Sequence, residues 1–374
     1  MALVQKVDTM AIAEGLRSSV RADVAASEVK PKLVGFLANK DPSAKLYAEW
    51  TGRAAMKDGI DYEIREMEPV ELEAAIDEAN NDESVHGILI YYPVFGAAPS
   101  FFGGSMDDQL RDRISIEKDV EGLTNFYRSA LYRNVRFLGE TKKTVVPCTA
   151  LAVVKCLEYL KVYSNEKKLP LTGKICTVIN RSEVVGRPLA AMLANDGATV
   201  YSVDVDSIYL VTKGQMALTD LTPFDAVKLS DVVVLGVPSK AYKLDANHLK
   251  DDAIVVNVSS FKNLQDTDTK KYTYVSQVGR VTVACLERSL TTLYKQYHSK
   301  SAKSQQNKKS PLAFIKDFLS EPSTSSSSGP PKKNSKQDQG DDEPIIKGLT
   351  FGLGPLTGIV LLAATTSLLL KRSK

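Results

Sequence analysis

Residues 174–204, KICTVINRSEVVGRPLAAMLANDGATVYSVD, narrow the possible folds more than any other stretch. Residues 175–179 are a short apolar run rich in β-branched side chains, the length of one buried strand. The polar turn Asn180-Arg181-Ser182-Glu183 follows. Val185, Leu189, Met192 and Leu193 then fall on one helical face, and Gly197 stands where a left-handed C-cap is needed. Residues 199–203 read as a second strand ending at Asp204. Strand, turn, helix, strand and acid make half of a dinucleotide site of the Rossmann type. Free N–H groups at the helix start can hold a pyrophosphate, and a carboxylate can grip ribose hydroxyls. The G-x-G-x-x-G fingerprint is missing, because Asn180 and Arg181 occupy glycine positions and only Gly186 remains. Pattern alone therefore leaves an ordinary βαβ unit as open as a cofactor site. Asp204 lies 18 positions after Gly186 (204 − 186). Its charge accepts from a free 2′-hydroxyl and repels a 2′-phosphate, which predicts NAD rather than NADP. Arg181, which could contact phosphate, joins Ser182, Gly186, Asp204 and Val205 as the cofactor candidates of this stretch.

At 374 residues the chain has room for two domains with sizeable cores. Its 48 basic and 45 acidic residues are interspersed through most of the chain, so no nucleic-acid groove is expected. Cys148, Cys156, Cys176 and Cys285 form no CxxC pair, which fits buried thiols in a reducing compartment. His86, His248 and His298 are scattered, so no metal site is expected. The N-terminal residues carry acids and lack the apolar core of a signal peptide.

Taken in order, residues 9–24 are helix-like and residues 32–37 read as a buried strand. Asp41-Pro42, an acid before a proline, starts a helix that carries Tyr47, Trp50 and Thr51 and stops near Gly59. Residues 62–67, 70–80 and 87–91 read as strand, helix and strand. This β–α–β–α–β alternation predicts a parallel sheet. Tyr91-Tyr92-Pro93-Val94 then lies at its C-terminal edge, where open α/β sheets place ligands. A polar loop at 118–122 puts Asp119 and Glu121 on one short turn. Residues 145–149 lead into an apolar helix, 151–160, that bridges to the second domain. Residues 231–235 and 253–258 are further buried strands, and the loops after them are where a nicotinamide and its ribose would lie. Gly279-Arg280-Val281-Thr282 starts a last helix, 283–297.

These motifs resemble those of the methylenetetrahydrofolate dehydrogenase/cyclohydrolase family. INRSEVVGRPLA is similar to its R-S-x-x-V-G-x-P segment, Asp119–Gly122 to its D-V-D-G loop, and Pro147-Cys148-Thr149 to its P-C-T motif. The likeness runs from about Leu33 to Tyr294 and is greatest to the monofunctional NAD-dependent members in fungi. It implies oxidation of 5,10-methylenetetrahydrofolate to 5,10-methenyltetrahydrofolate by hydride transfer to NAD+, in one-carbon and purine metabolism. Such a step needs no strong base, only two rings held in contact where developing positive charge is tolerated. By the resemblance, Tyr47 stacks on the folate. Bifunctional relatives place a lysine four residues later, where this chain has Thr51, and a glutamine before L-P, where it has Tyr91. Both losses imply that cyclohydrolase activity is missing. Tyr47, Tyr91, Pro93, Asp119 and Glu121 are the substrate candidates, with Glu121 accepting from the pterin amino group and ring N–H. Cys148, at a helix N-terminus, is expected to have a lowered pKa and to act as a polar contact or a thiolate near the cation. Cys148 and Tyr47 are the catalytic candidates. The family's G-x-P and G-P-M-T loops correspond to Val237, Pro238 and Ser239 and to Gly279, Arg280, Val281 and Thr282. Arg280 and Val281 stand where proline and methionine are usual. A homodimer built on the nucleotide domain is also implied.

Beyond about residue 300 the composition changes. Residues 299–347 read as a polar linker, of which 321–347 are disordered by composition. Within it, Leu312, Ile315, Phe318 and Leu319 predict a short amphipathic helix over 311–320. Residues 348–370 are 23 without a charge, between Lys347 and Lys371-Arg372. As a helix they would span roughly 34 Å, enough for a transmembrane tail anchor. The expected fold is α/β with two domains. An N-terminal parallel-sheet folate-binding catalytic domain (1–149) is rejoined by the return helix 283–298, and a Rossmann-type NAD-binding domain covers 150–282. The linker and membrane anchor follow, with the catalytic domains in the cytosol. Two other readings stay open: a bifunctional dehydrogenase/cyclohydrolase, and a membrane-tethered NAD-binding protein without catalysis.

Overall fold

Alternation along the strand Lys32–Leu37 sets up the first sheet. Leu33 and Leu37 face one core while Val34 and Phe36 face another, so the strand is covered on both sides. In this computed structural model, which describes residues 4–306, that strand pairs in parallel with Asp61–Glu66 and with Gly87–Ile90. Helices Leu72–Asn81 and Met106–Arg113 close the Val34/Phe36 face around Ile76, Ile88 and Leu110. Helix Pro42–Lys57 starts as its sequence predicts: Asp41 caps it by accepting from the Ser43 N–H, and Pro42 opens the first turn.

The second sheet has eight strands, in the order Val4–Lys6, Tyr272–Val275, Ala253–Asn257, Val232–Leu235, Ile175–Ile179, Thr199–Val203, Ile208–Thr212, Gln215–Thr219. The first six run parallel, Ile208–Thr212 runs antiparallel to them, and Gln215–Thr219 pairs antiparallel with Ile208–Thr212. Four of these strands depart from the sequence reading: Val4–Lys6, Tyr272–Val275, Ile208–Thr212 and Gln215–Thr219. Val4–Lys6 belongs to this sheet, although residues 1–149 are expected to form the other domain. After Asp204 the chain turns back as a hairpin at Lys213 and Gly214, both with positive φ, the geometry a tight two-residue turn requires.

Helices Cys148–Tyr159, Gly186–Asn195 and Gly279–Leu293 join the two sheets. One continuous core runs from Leu33 and Leu89 through Val153, Leu157 and Leu286 to Val178 and Val256. The last of these helices continues through a π-helical turn, Tyr294–His298, and packs along Thr9–Ala25. There Arg17 reaches Asp58 at 3.3 Å and Glu287 at 3.5 Å, and Arg21 bonds Asp58 at 2.9 Å. A helix, Lys300–Gln306, stands where the polar linker was expected to begin. The rest of that linker, the stripe over 311–320 and the anchor 348–370 lie outside the described residues. Among the described residues no helix is long and apolar enough to cross a membrane.

Candidate active site

The Pro42–Lys57 helix and the end of Gly87–Ile90 bring aromatic side chains together. The rings of Tyr47 and Tyr91 meet edge to face, 5.9 Å between centroids and 81° between planes. The Tyr91 and Tyr62 hydroxyls are 2.8 Å apart. Thr51, wholly buried, donates to the Tyr47 carbonyl at 2.9 Å, and its hydroxyl also lies by those of Tyr47 and Tyr91. Burial pushes the Tyr47 phenol well above its ordinary pKa, and the Glu121 charge and the Cys148 thiol add to the shift. Pro93, exposed, follows a cis peptide bond from Tyr92. Asp107 holds the next loop by accepting from the Phe95 N–H at 2.8 Å and the Gly96 N–H at 3.2 Å.

Asp119 and Glu121 share a loop but not a role. The Asp119 carboxylate is buried and accepts from the N–H groups of Glu121 (3.2 Å), Gly122 (2.8 Å) and Thr124 (2.9 Å). It therefore shapes the loop, and its expected place as a substrate contact is corrected. Gly122 has φ +68°, and a Cβ there would stand 2.7 Å from the Val146 carbonyl carbon, so the turn needs glycine. Glu121 itself stays partly accessible beside Tyr47, Tyr92, Arg111 and the Ile90 N–H. Burial, with Asp119 adding to it, pushes its carboxyl up to about 8. Arg111 opposes that shift and stacks on Tyr92 at 5.0 Å. No sequence motif marks Arg111.

Cys148 also departs from expectation. Its Sγ donates to the Val120 carbonyl at 3.1 Å, and burial raises its pKa well above the ordinary thiol value. The helix N-terminus lowers a thiol pKa only where the thiolate can be solvated or paired. Here the group is a buried prop under the 119–122 loop, whose Glu121 carbonyl also accepts from the Cys148 N–H at 3.2 Å.

At the C-terminal edge of the second sheet the phosphate-facing turn is held from within. Asn180 accepts from the Ser182 N–H and donates to the Gly236 carbonyl, both at 2.7 Å. A Cβ on Gly186 would lie 1.8 Å from the Asn180 carbonyl oxygen, so only glycine lets the helix start so close to the strand. Arg181 is held by its own fold. It bonds the Ser202 carbonyl and the Ser207 carbonyl, both at 2.7 Å, and the Ser207 hydroxyl at 2.8 Å, and lies 4.7 Å over the Tyr209 ring. The expected phosphate contact is thereby corrected to a strand clamp. Glu183 instead links the turn to helix Asn125–Tyr132, taking bonds from Arg128 at 2.9 Å and Tyr132 at 3.1 Å.

Ser182 is exposed, as are Asp204 and Val205 at the end of the neighbouring strand. Val237, Pro238 and Ser239 form the loop after Val232–Leu235, with Ser259 donating to the Val237 carbonyl at 2.8 Å. Gly279 and Arg280 are exposed at the start of their helix. Val281 is fully buried and Thr282 donates back to the Val278 carbonyl at 3.2 Å, so the fold uses both side chains for its core and its helix start.

A two-lobed α/β enzyme is defined by this layout, with an aromatic pocket and a carboxylate at one parallel sheet and a dinucleotide turn at the other. The sequence profile of the tetrahydrofolate dehydrogenase/cyclohydrolase catalytic domain matches residues 7–121, and that of the family's NAD(P)-binding domain matches 147–298. The chain belongs to this tetrahydrofolate dehydrogenase/cyclohydrolase family. The methylenetetrahydrofolate dehydrogenase (NAD+) of Saccharomyces cerevisiae is 47% identical over 283 residues, 70% of this chain and 86% of its own length. The protein of that name in Dictyostelium discoideum is 44% identical over 300 residues, 77% of this chain and 94% of its own. The solved NAD-dependent 5,10-methylenetetrahydrofolate dehydrogenase of S. cerevisiae matches with a TM-score of 0.72 at 40% identity, covering 82% of this chain and 99% of that one.

Proposed function

We propose that this chain oxidises 5,10-methylenetetrahydrofolate to 5,10-methenyltetrahydrofolate with NAD+ as acceptor, and does not hydrolyse the product. The observation that carries the reading is the meeting of Tyr47, Tyr91 and Glu121, with Thr51 buried under the tyrosine hydroxyls. The dinucleotide end fits its group. The Gly186 turn, which has no room for a Cβ, leaves the helix start open to a pyrophosphate. Asp204 offers an exposed carboxylate for ribose hydroxyls. Ser182 belongs to this turn, and the loop of residues 237–239 is tied to it by the bond from Asn180 to the Gly236 carbonyl; Gly279 and Arg280 offer exposed backbone at their helix start. NAD+, when bound, supplies the hydride acceptor.

The chain's own side chains bind and orient. Tyr47 lays its ring against the folate, backed by the edge of Tyr91. Glu121, once ionised, accepts from the pterin amino group and ring N–H and so fixes how the one-carbon bridge is presented. The bridge loses hydrogen with its electron pair, and the adjacent nitrogen lone pair of the folate spreads the charge that forms. No side chain takes a proton in this step. Cys148 keeps its proton and supports the loop under Glu121.

The test is a purified chain mixed with methylenetetrahydrofolate and NAD+. Absorbance of NADH and of the methenyl product should rise together, and the methenyl signal should persist at its spontaneous decay rate. Rapid methenyl loss would restore the bifunctional reading. NAD binding without NADH formation would promote the non-catalytic one. A homodimer is proposed at strand Gln215–Thr219, an edge on which Met216 and Leu218 are 55% and 65% exposed; sedimentation of the Leu218→Lys variant checks it. The uncharged residues 348–370 are proposed as a membrane anchor, to be checked by alkali-resistant pelleting of the full chain against one ending at 347.

A further inference from the structure

Tyr62, on strand Asp61–Glu66, enters the aromatic pocket without any motif to announce it. The space it fills is reserved. A Cβ on Gly52 would lie 2.5 Å from its ring, and a Cβ on Gly35 would lie 2.9 Å from both the Tyr62 hydroxyl and the Tyr91 ring. Two glycines on two elements thus yield room to this tyrosine pair. The direction of the hydrogen bonds follows from their ends. Tyr62 donates to the Ala48 carbonyl at 3.3 Å, which can only accept. In the 2.8 Å contact between the hydroxyls, Tyr91 is then the donor. Thr51 spends its proton on the Tyr47 carbonyl at 2.9 Å. Neither Tyr91 nor Thr51 has a proton left for the pocket.

We propose that Tyr62 is a positioning residue that aims Tyr91 and, through the ring contact, Tyr47, drawing the Tyr91 proton inward and away from the folate. This deepens the dehydrogenase reading above and rests on it. Tyr62→Phe keeps the ring in its glycine cradle and deletes one oxygen. A hydrogen bond of ordinary strength corresponds to roughly a five- to tenfold rise in KM for methylenetetrahydrofolate, with KM for NAD+ unchanged.

Tyr91→Phe removes the same bond from the other end and should give the same split. The double variant should be no worse than Tyr62→Phe, because the bond between the hydroxyls is lost in all three and only the variants at 62 also give up the bond to the Ala48 carbonyl. Melting temperatures are taken alongside. Should Tyr62→Phe fail to fold, Tyr91→Phe carries the test alone. Lower melting temperatures with an unchanged folate KM, or single effects that multiply in the double variant, overturn the proposal. If the unaltered chain forms no NADH, the dehydrogenase reading has failed instead, so the two failures are told apart.

Discussion

Replacing Glu121 by glutamine removes a charge that its surroundings resist. Burial, with Asp119 beside it, holds the carboxyl up to about 8 against the pull of Arg111 and the Ile90 N–H. Such a group is about one-tenth ionised at pH 7 and about nine-tenths at pH 9. If only the carboxylate accepts from the pterin donors, kcat/KM for the folate climbs about tenfold over that interval while KM for NAD+ stays level. Glu121→Gln should lose the inflection and stay at or below the pH 7 rate throughout, since an amide offers one acceptor and points a donor at another donor. Stability should run the opposite way. The folded pKa of about 8 lies above the ordinary 4.5, so the folded chain holds more protons between those values, and the contribution of Glu121 to stability falls as pH rises from 4.5 through 8. The variant should therefore melt higher than the parent above pH 8 while turning over worse. Initial rates and melting temperatures in one buffer series from pH 6 to 9.5 read both. A flat parental rate profile, or an inflection that survives in the variant, refutes the role given to Glu121.

Thr51→Lys should not by itself restore hydrolysis of the methenyl product, because Tyr91 is still in place and position 51 is wholly buried among tyrosine hydroxyls. A loss of about 3–5 kcal/mol in a denaturant titration is expected, and rapid methenyl decay would contradict it. Gly186→Ala should raise KM for NAD+ at least about tenfold, since a Cβ 1.8 Å from the Asn180 oxygen must displace the turn; near-parental kinetics would show the turn to be adaptable. Asp204→Ala should shift the NAD/NADP ratio of kcat/KM toward NADP by about tenfold or more, by the loss of charged hydrogen bonds to the ribose. An unchanged ratio would move the specificity elsewhere.

What could be read from the sequence was whatever is encoded locally. The strand Ile175–Ile179, the Asp41-Pro42 helix start and the Gly197 turn, with φ +100°, all follow from neighbouring residues and from backbone sterics. Tyr47, Tyr91 and Glu121 meet because the alternation of strands and helices brings the C-terminal ends of one sheet together. Arg181 shows the limit. Beside a phosphate-facing turn it looks like an anion ligand, yet its protons go to Ser202 and Ser207, partners 21 and 26 positions away. Cys148 fails for the same kind of reason, because burial outweighs the helix end and depends on what Val120 and Ser289 bring from elsewhere. Asp119, Val281 and Thr282 sit in the right motifs, but the fold uses them for the backbone and the core.

The chain's first strand is an edge of the sheet that otherwise holds the second half of the molecule, and a helix from that half, Gly279–Leu293, lies along the first. Neither half is therefore separable by one cut. During synthesis, residues 9–81 can leave the ribosome long before Glu287 arrives to meet Arg17, so the first lobe must wait, one flank bare, for almost the whole described chain. A swap of cofactor domains between relatives at a single crossover point would leave both products missing a piece of their own architecture.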